Sequence, residues 1–90
     1  MLKIKIKVFG YVHGVFFRYN TRKIARKLGL TGFVKNLPDG TVYIEAEGPQ
    51  DKLNELLNFS KRGSKQAQVD KVEYELMPPT NEFKGFDYRF

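Results

Sequence analysis

Between Gly10 and Arg18 the chain reads Gly-Tyr-Val-His-Gly-Val-Phe-Phe-Arg. Glycines let a backbone curl with its N–H groups turned inward, and a helix beginning just after them adds unpaired N–H groups and the positive end of its dipole. Such a loop favours a phosphate or a carboxylate. Arg18, at the helix start, carries a planar fork of donors suited to the same anion. Gly14, Val15, Phe16, Phe17 and Arg18 therefore form a candidate anion loop. The same spacing also describes a tight turn followed by an exposed helix arginine, and spacing alone does not choose between the two. Asn36 is the second candidate. It ends an expected strand just before a turn, where Asn commonly bonds its own backbone. The end of that strand and the loop after the first strand can share one edge of a sheet, so the Asn36 amide could instead orient a water towards an anion in the loop.

Composition narrows the chemistry. Zero cysteines exclude a disulfide scaffold, a thiolate nucleophile and Cys-based metal sites, and a lone His13 argues against a protein-ligated transition metal. No apolar run approaches the roughly 20 residues that span a bilayer, and the N-terminus alternates where a signal peptide would be continuously apolar. A soluble, cytoplasmic protein without a membrane partner is expected.

The elements that must position these residues follow from periodicity. Leu2, Ile4, Ile6, Val8 and Val12 alternate with Lys3, Lys5 and Lys7, a half-buried strand. From Phe17 to Leu28 the period changes to that of a helix, with Thr21, Ile24, Ala25 and Leu28 on one face and Gly29 able to cap it. Leu30 to Lys35 and Thr41 to Glu47 form a hairpin about Pro38-Asp39-Gly40. Gly48-Pro49 starts a second helix over roughly 50–62, striped by Leu53, Leu56 and Leu57. Val72, Tyr74 and Leu76 alternate with Lys71, Glu73 and Glu75 in a one-sided strand from Val69 to Met77, and Phe86, Tyr88 and Phe90 alternate in a short edge strand. The order β-α-β-β-α-β, plus a final β, predicts an α+β ferredoxin-like split βαβ sandwich: an antiparallel sheet with two helices on one face. Ninety residues suit one domain spanning 1–90.

Charge is divided along the chain. Residues 1–35 carry nine basic and no acidic side chains, and residues 36–90 carry seven basic and ten acidic, so the net +6 is +9 followed by −3. A ferredoxin-like module that binds single-stranded RNA is the alternative this raises. Such modules stack bases on aromatic side chains of the open sheet face. Here that face should present Lys3, Lys5 and Lys7 flanked by Glu45, Glu47, Glu73 and Glu75, a solvated row of cross-strand ion pairs, so no nucleic-acid partner is expected. Arg22, Lys23, Arg26, Lys27 and Lys35 are left as a basic surround to the anion loop.

Gly10-x-Val12-x-Gly14-Val15-Phe16-Phe17-Arg18, followed by Gly32-Phe33-Val34-Lys35-Asn36-x-x-x-Gly40-x-Val42 and Gly48, resembles the two-part signature of acylphosphatases. The likeness covers essentially all of the chain, and departs at His13, where the family usually has Gln. It implies hydrolysis of an acyl phosphate to carboxylate and inorganic phosphate. By that resemblance Arg18 and the N–H groups from Gly14 to Arg18 bind the phosphoryl group and Asn36 positions the attacking water, without metal, cofactor or phosphoenzyme. The expected partners are the small-molecule substrate and its phosphate product. A monomer is expected, with the edge strand ending at Phe90 open to pairing.

Overall fold

A computed structural model describes all residues from Met1 to Phe90. Its order is β1 (Leu2–Tyr11), α1 (Phe17–Lys27), β2 (Thr31–Asn36), β3 (Val42–Gly48), α2 (Gln50–Arg62), β4 (Gln68–Met77) and β5 (Phe86–Tyr88). The strands lie in the order β4-β1-β3-β2-β5. Ile4, Ile6 and Val8 of β1 are fully buried and join Val34, Val42 and Ile44 from the sheet with Phe17, Ala25, Leu53, Leu56 and Phe59 from the helices in one core. One apolar face of the sheet therefore takes both helices, which is the ferredoxin-like arrangement. No helix is long and apolar enough to cross a membrane.

Two departures from the periodicity reading, the pairing of β5 and the burial of Lys3, share one cause, the path from β4 to β5. The first four strands pair antiparallel, but β5 runs parallel to β2, so the sheet is mixed. The chain leaves β4 at one edge, crosses the open face and returns in the opposite direction, which at the far edge is the direction of β2. The crossing segment, Pro78–Gly85, covers one end of that face. Lys3, expected in a solvated row, is only 3% exposed. Its ammonium lies 3.2 Å from Glu45, 3.6 Å from Glu47 and 3.1 Å from Glu82 on the crossing segment. Lys7 pairs with Asp39 in the hairpin turn at 3.1 Å, and Glu73 pairs with Lys71, so the expected cross-strand pairing holds at Lys3 and not along the whole row. The same segment lays Phe83 against Phe33, and the Arg89 guanidinium sits 3.8 Å from the Phe33 ring centroid. A base would find Phe33 already covered.

The inward row of β4 also differs from expectation. Tyr74 and Leu76 are 52% and 37% exposed, because β4 is the sheet edge and lies beyond the width that the helices cover. At the other end of β1 the pairing with β4 slips between Phe9 and Gly10. Gly10 has φ +134°, and a Cβ there would stand 2.1 Å from the Gln68 carbonyl oxygen. Only glycine allows this bulge, which turns the chain out of the sheet towards the loop before α1. Val12 leaves the strand but stays buried.

The cluster under the crossing segment sets the pH range of the fold. Burial opposes ionisation of Glu47, but the N–H groups of Thr80 and Asn81, the Thr80 hydroxyl and Lys3 outweigh it and hold the carboxyl below its ordinary range. Glu45 is lowered in the same way, burial being outweighed by the Tyr43 hydroxyl and Lys3. Lys3 is raised, its own desolvation outweighed by Glu82 and Glu45. Both carboxyls bind protons more weakly folded than unfolded. Their contribution is full above the ordinary value of 4.5 and is lost as pH falls through the folded values. Lys3 contributes fully below 10.5 and loses that contribution as pH rises through its raised value. Lys3→Ala leaves Glu45 and Glu47, the two largely buried carboxylates of the cluster, without this counter-charge and should cost about 3–5 kcal/mol. Thermal unfolding followed by circular dichroism from pH 2 to 8 should show the variant's deficit fullest near neutral pH and shrinking as pH falls through the carboxyl range.

Candidate active site

Gly14 and Phe16 both have left-handed backbones, with φ of +71° and +60°. For Phe such a conformation costs on the order of 1–3 kcal/mol and persists only where its surroundings impose it. Those surroundings include four hydrogen bonds. The buried Ser64 hydroxyl donates to the Val15 carbonyl at 2.8 Å. The Asn20 N–H and side-chain Nδ2 both donate to the Phe16 carbonyl, at 3.0 and 2.9 Å. His13 Nε2 donates to the Thr41 carbonyl at 2.8 Å, tying the loop to the turn before β3.

A trans peptide carries its N–H on the edge opposite its C=O. With the Val15 and Phe16 carbonyls held back by Ser64 and Asn20, the N–H groups of Phe16 and Phe17 are turned the other way. None of the N–H groups from Gly14 to Tyr19 donates to a backbone carbonyl. Helix α1 has no side-chain cap and no acidic residue in its first turn, whereas α2 carries Asp51 there. The start of α1 thus keeps its donors and its positive dipole uncompensated by the protein.

These donors border a cavity of about 410 Å³ lined by Val12, Gly14, Phe16, Phe17, Arg18, Tyr19, Asn36, Tyr88 and Phe90. Arg18 and Asn36 meet there. The Arg18 guanidinium forms no ion pair, and lies 5.7 Å from the Tyr88 ring centroid and 5.6 Å from that of Phe90. Asn36 Oδ1 is buried without a hydrogen-bond partner, and no other buried side-chain polar atom is in that state. The Asx-turn reading of Asn36 therefore lacks its bond: the turn is closed by Leu37 N–H on the Thr41 carbonyl, and Asp39 takes the Thr41 N–H and hydroxyl. Asp39 is held down to about 2 by those Thr41 donors and by Lys7.

The expected basic surround is smaller than charge counting implied. Arg22 and Arg26 both bind Asp87, at 3.1 and 3.3 Å, and Arg26 Nε donates to the Phe86 carbonyl at 2.8 Å. Asp87 is lowered chiefly by the N–H of Tyr88 and next by Arg22. These two arginines are spent on clamping β5 to α1, which brings Tyr88 and Phe90 to Arg18. The periodicity reading used Tyr88 and Phe90 only as strand residues and left Ser64 in a polar loop. Asn20 alone carried a local signal, since a residue four beyond the helix cap can reach back to it.

Set against known proteins, residues 4–88 match the family model for acylphosphatase. The chain belongs to the acylphosphatase family. The acylphosphatase of Caldivirga maquilingensis is 46% identical over 90 residues, covering 99% of this chain and 95% of that one. The crystal structure of the Bacillus subtilis acylphosphatase matches with a TM-score of 0.95 at 36% identity, over the full length of both chains. The Coxiella burnetii acylphosphatase gives 0.90 at 39% identity, over 97% of this chain and 90% of that one. An enzyme of the acylphosphatase kind is what the sequence resemblance anticipated.

His13, where acylphosphatases usually have Gln, makes a bond that a Gln amide can also donate. His13→Gln should keep turnover within about twofold. His13→Ala should lose about 1 kcal/mol, a melting shift of about 4–8 °C in a calorimetric scan.

Proposed function

We propose that the chain hydrolyses acyl phosphates by holding the phosphoryl group on the N–H groups from Gly14 to Arg18 and on the Arg18 guanidinium, with Asn36 orienting the attacking water. The observation that carries this reading is that Asn36, whose Oδ1 is a buried acceptor without a partner, lines the same cavity as an arginine without a carboxylate. An acceptor of that kind takes a hydrogen from water, and leaves the water's lone pairs free to face an electrophile. The loop donors and Arg18 offer positive potential to the equatorial oxygens of a phosphoryl group, where charge accumulates during transfer.

The water oxygen bonds to phosphorus as the bond from phosphorus to the acyl oxygen breaks. The carboxylate leaves with the electron pair, and one water proton passes to a phosphoryl oxygen, so the acyl phosphate dianion and water give a carboxylate and dihydrogen phosphate. A carboxylate is a good leaving group at neutral pH and needs no general acid. The protein's part is positioning and electrostatic stabilisation.

Arg18→Ala should abolish measurable turnover of benzoyl phosphate and raise the inhibition constant for inorganic phosphate, with the melting temperature near wild type. Asn36→Ala should lower kcat by about 10²–10³ with phosphate inhibition changed less than tenfold. Wild-type turnover should persist in the presence of chelator. Turnover retained in Asn36→Ala would remove the water-orienting role.

A further inference from the structure

We propose that Ser64 is a positioning residue for this reaction: its hydroxyl, bonded to the Val15 carbonyl, holds the Val15–Phe16 peptide in the orientation that turns the Phe16 N–H into the phosphate cradle. The inference rests on the reading of the loop as the phosphate site. Ser64 comes from a distant part of the chain, just beyond α2, and its Oγ is the only partner of the Val15 carbonyl. It lies behind the loop, in a cleft with Asn20, Lys65 and Gln66, and does not line the cavity that holds Arg18 and Asn36. Contact with substrate is therefore not its role.

Ser64 is a firm anchor. Gly63, left-handed at φ +80°, ends α2, and the Ala67 N–H closes a turn on the Ser64 carbonyl at 3.0 Å. Behind that turn the Phe59 ring of α2 packs on Phe17 of α1 with centroids 5.5 Å apart. The end of α2 is thus fixed to the start of α1 next to the peptide in question.

The peptide needs such an anchor because its orientation is strained. Rotating the Val15–Phe16 plane takes Phe16 out of the left-handed region, which relieves a residue poorly suited to it. The same rotation points the Val15 carbonyl into the cradle and the Phe16 N–H away from it. A donor is then replaced by an acceptor facing the phosphoryl oxygens. In the folded protein the Ser64 hydroxyl opposes this flip, because the rotated carbonyl would leave it buried without an acceptor.

The test combines kinetics with amide signals of ¹⁵N-labelled protein titrated with inorganic phosphate. In the wild type the Phe16 and Arg18 amide signals should both move. In Ser64→Ala, checked as folded by circular dichroism, the Phe16 signal should cease to respond while Arg18 still does, the phosphate inhibition constant should rise at least tenfold and kcat/KM for benzoyl phosphate should fall on the order of 100-fold. Ser64→Thr, which keeps the hydroxyl, should retain the phosphate affinity and the Phe16 response, and carries the test if the alanine variant does not fold. The proposal is overturned if folded Ser64→Ala keeps phosphate inhibition and turnover within twofold of wild type, if its Phe16 amide responds as in wild type, or if folded Ser64→Thr loses both. A wild-type titration in which Arg18 responds and Phe16 does not overturns it as well. Failure of both amides to respond in the wild type would instead refute the phosphate-site reading beneath it.

Discussion

A peptide group cannot offer its donor and its acceptor to the same side. At the start of α1 this constraint decides what the loop can attract, because each carbonyl bonded behind the loop turns the next N–H to the front. Ser64 and Asn20 supply those rear bonds, and the left-handed Phe16 is the conformational cost of making them. The glycine at position 10 and the bulge beside it bring the chain out of β1 at the required angle. On the proposed reading, an anion at the front meets backbone donors already aligned, which leaves little reorganisation for the reaction.

The second requirement is a cation that stays available. Of the chain's sixteen Lys and Arg, five are held by carboxylates, and several of the cations near the site are among them. Lys3 is buried among carboxylates beneath the crossing segment, Lys7 braces the hairpin turn through Asp39, and Arg22 and Arg26 hold Asp87. Arg18 differs from these in having no carboxylate partner, and the aromatic rings that border it favour a guanidinium by their faces without neutralising it. The clamp at Asp87 and the free Arg18 are two parts of one arrangement, since β5 brings those rings into place.

How far the sequence disclosed this varies with the range of the interaction. The alternation of β1, the helical stripes and the Pro38-Asp39-Gly40 turn are local patterns, and they led to the element order and to the face on which the helices lie. The loop glycines, Arg18 and Asn36 were legible as candidates, and their family resemblance gave them roles that the cavity's geometry is compatible with. The parallel pairing of β5, the burial of Lys3 and the cover over Phe33 depend on where Pro78–Gly85 crosses the sheet, and no local period encodes that path. Ser64 was invisible for the same reason: a serine in a polar connection looks the same whether its hydroxyl faces water or a carbonyl 49 residues earlier in the chain.

At the centre of the account is a water directed at phosphorus, with the acyl group as leaving group. Hydrolysis of benzoyl phosphate in ¹⁸O-enriched water, with both products examined by mass spectrometry, tests it most directly. The label is predicted in inorganic phosphate, with the benzoate unlabelled. Label in the benzoate would mean attack at the acyl carbon and would contradict the roles given to the loop, Arg18 and Asn36.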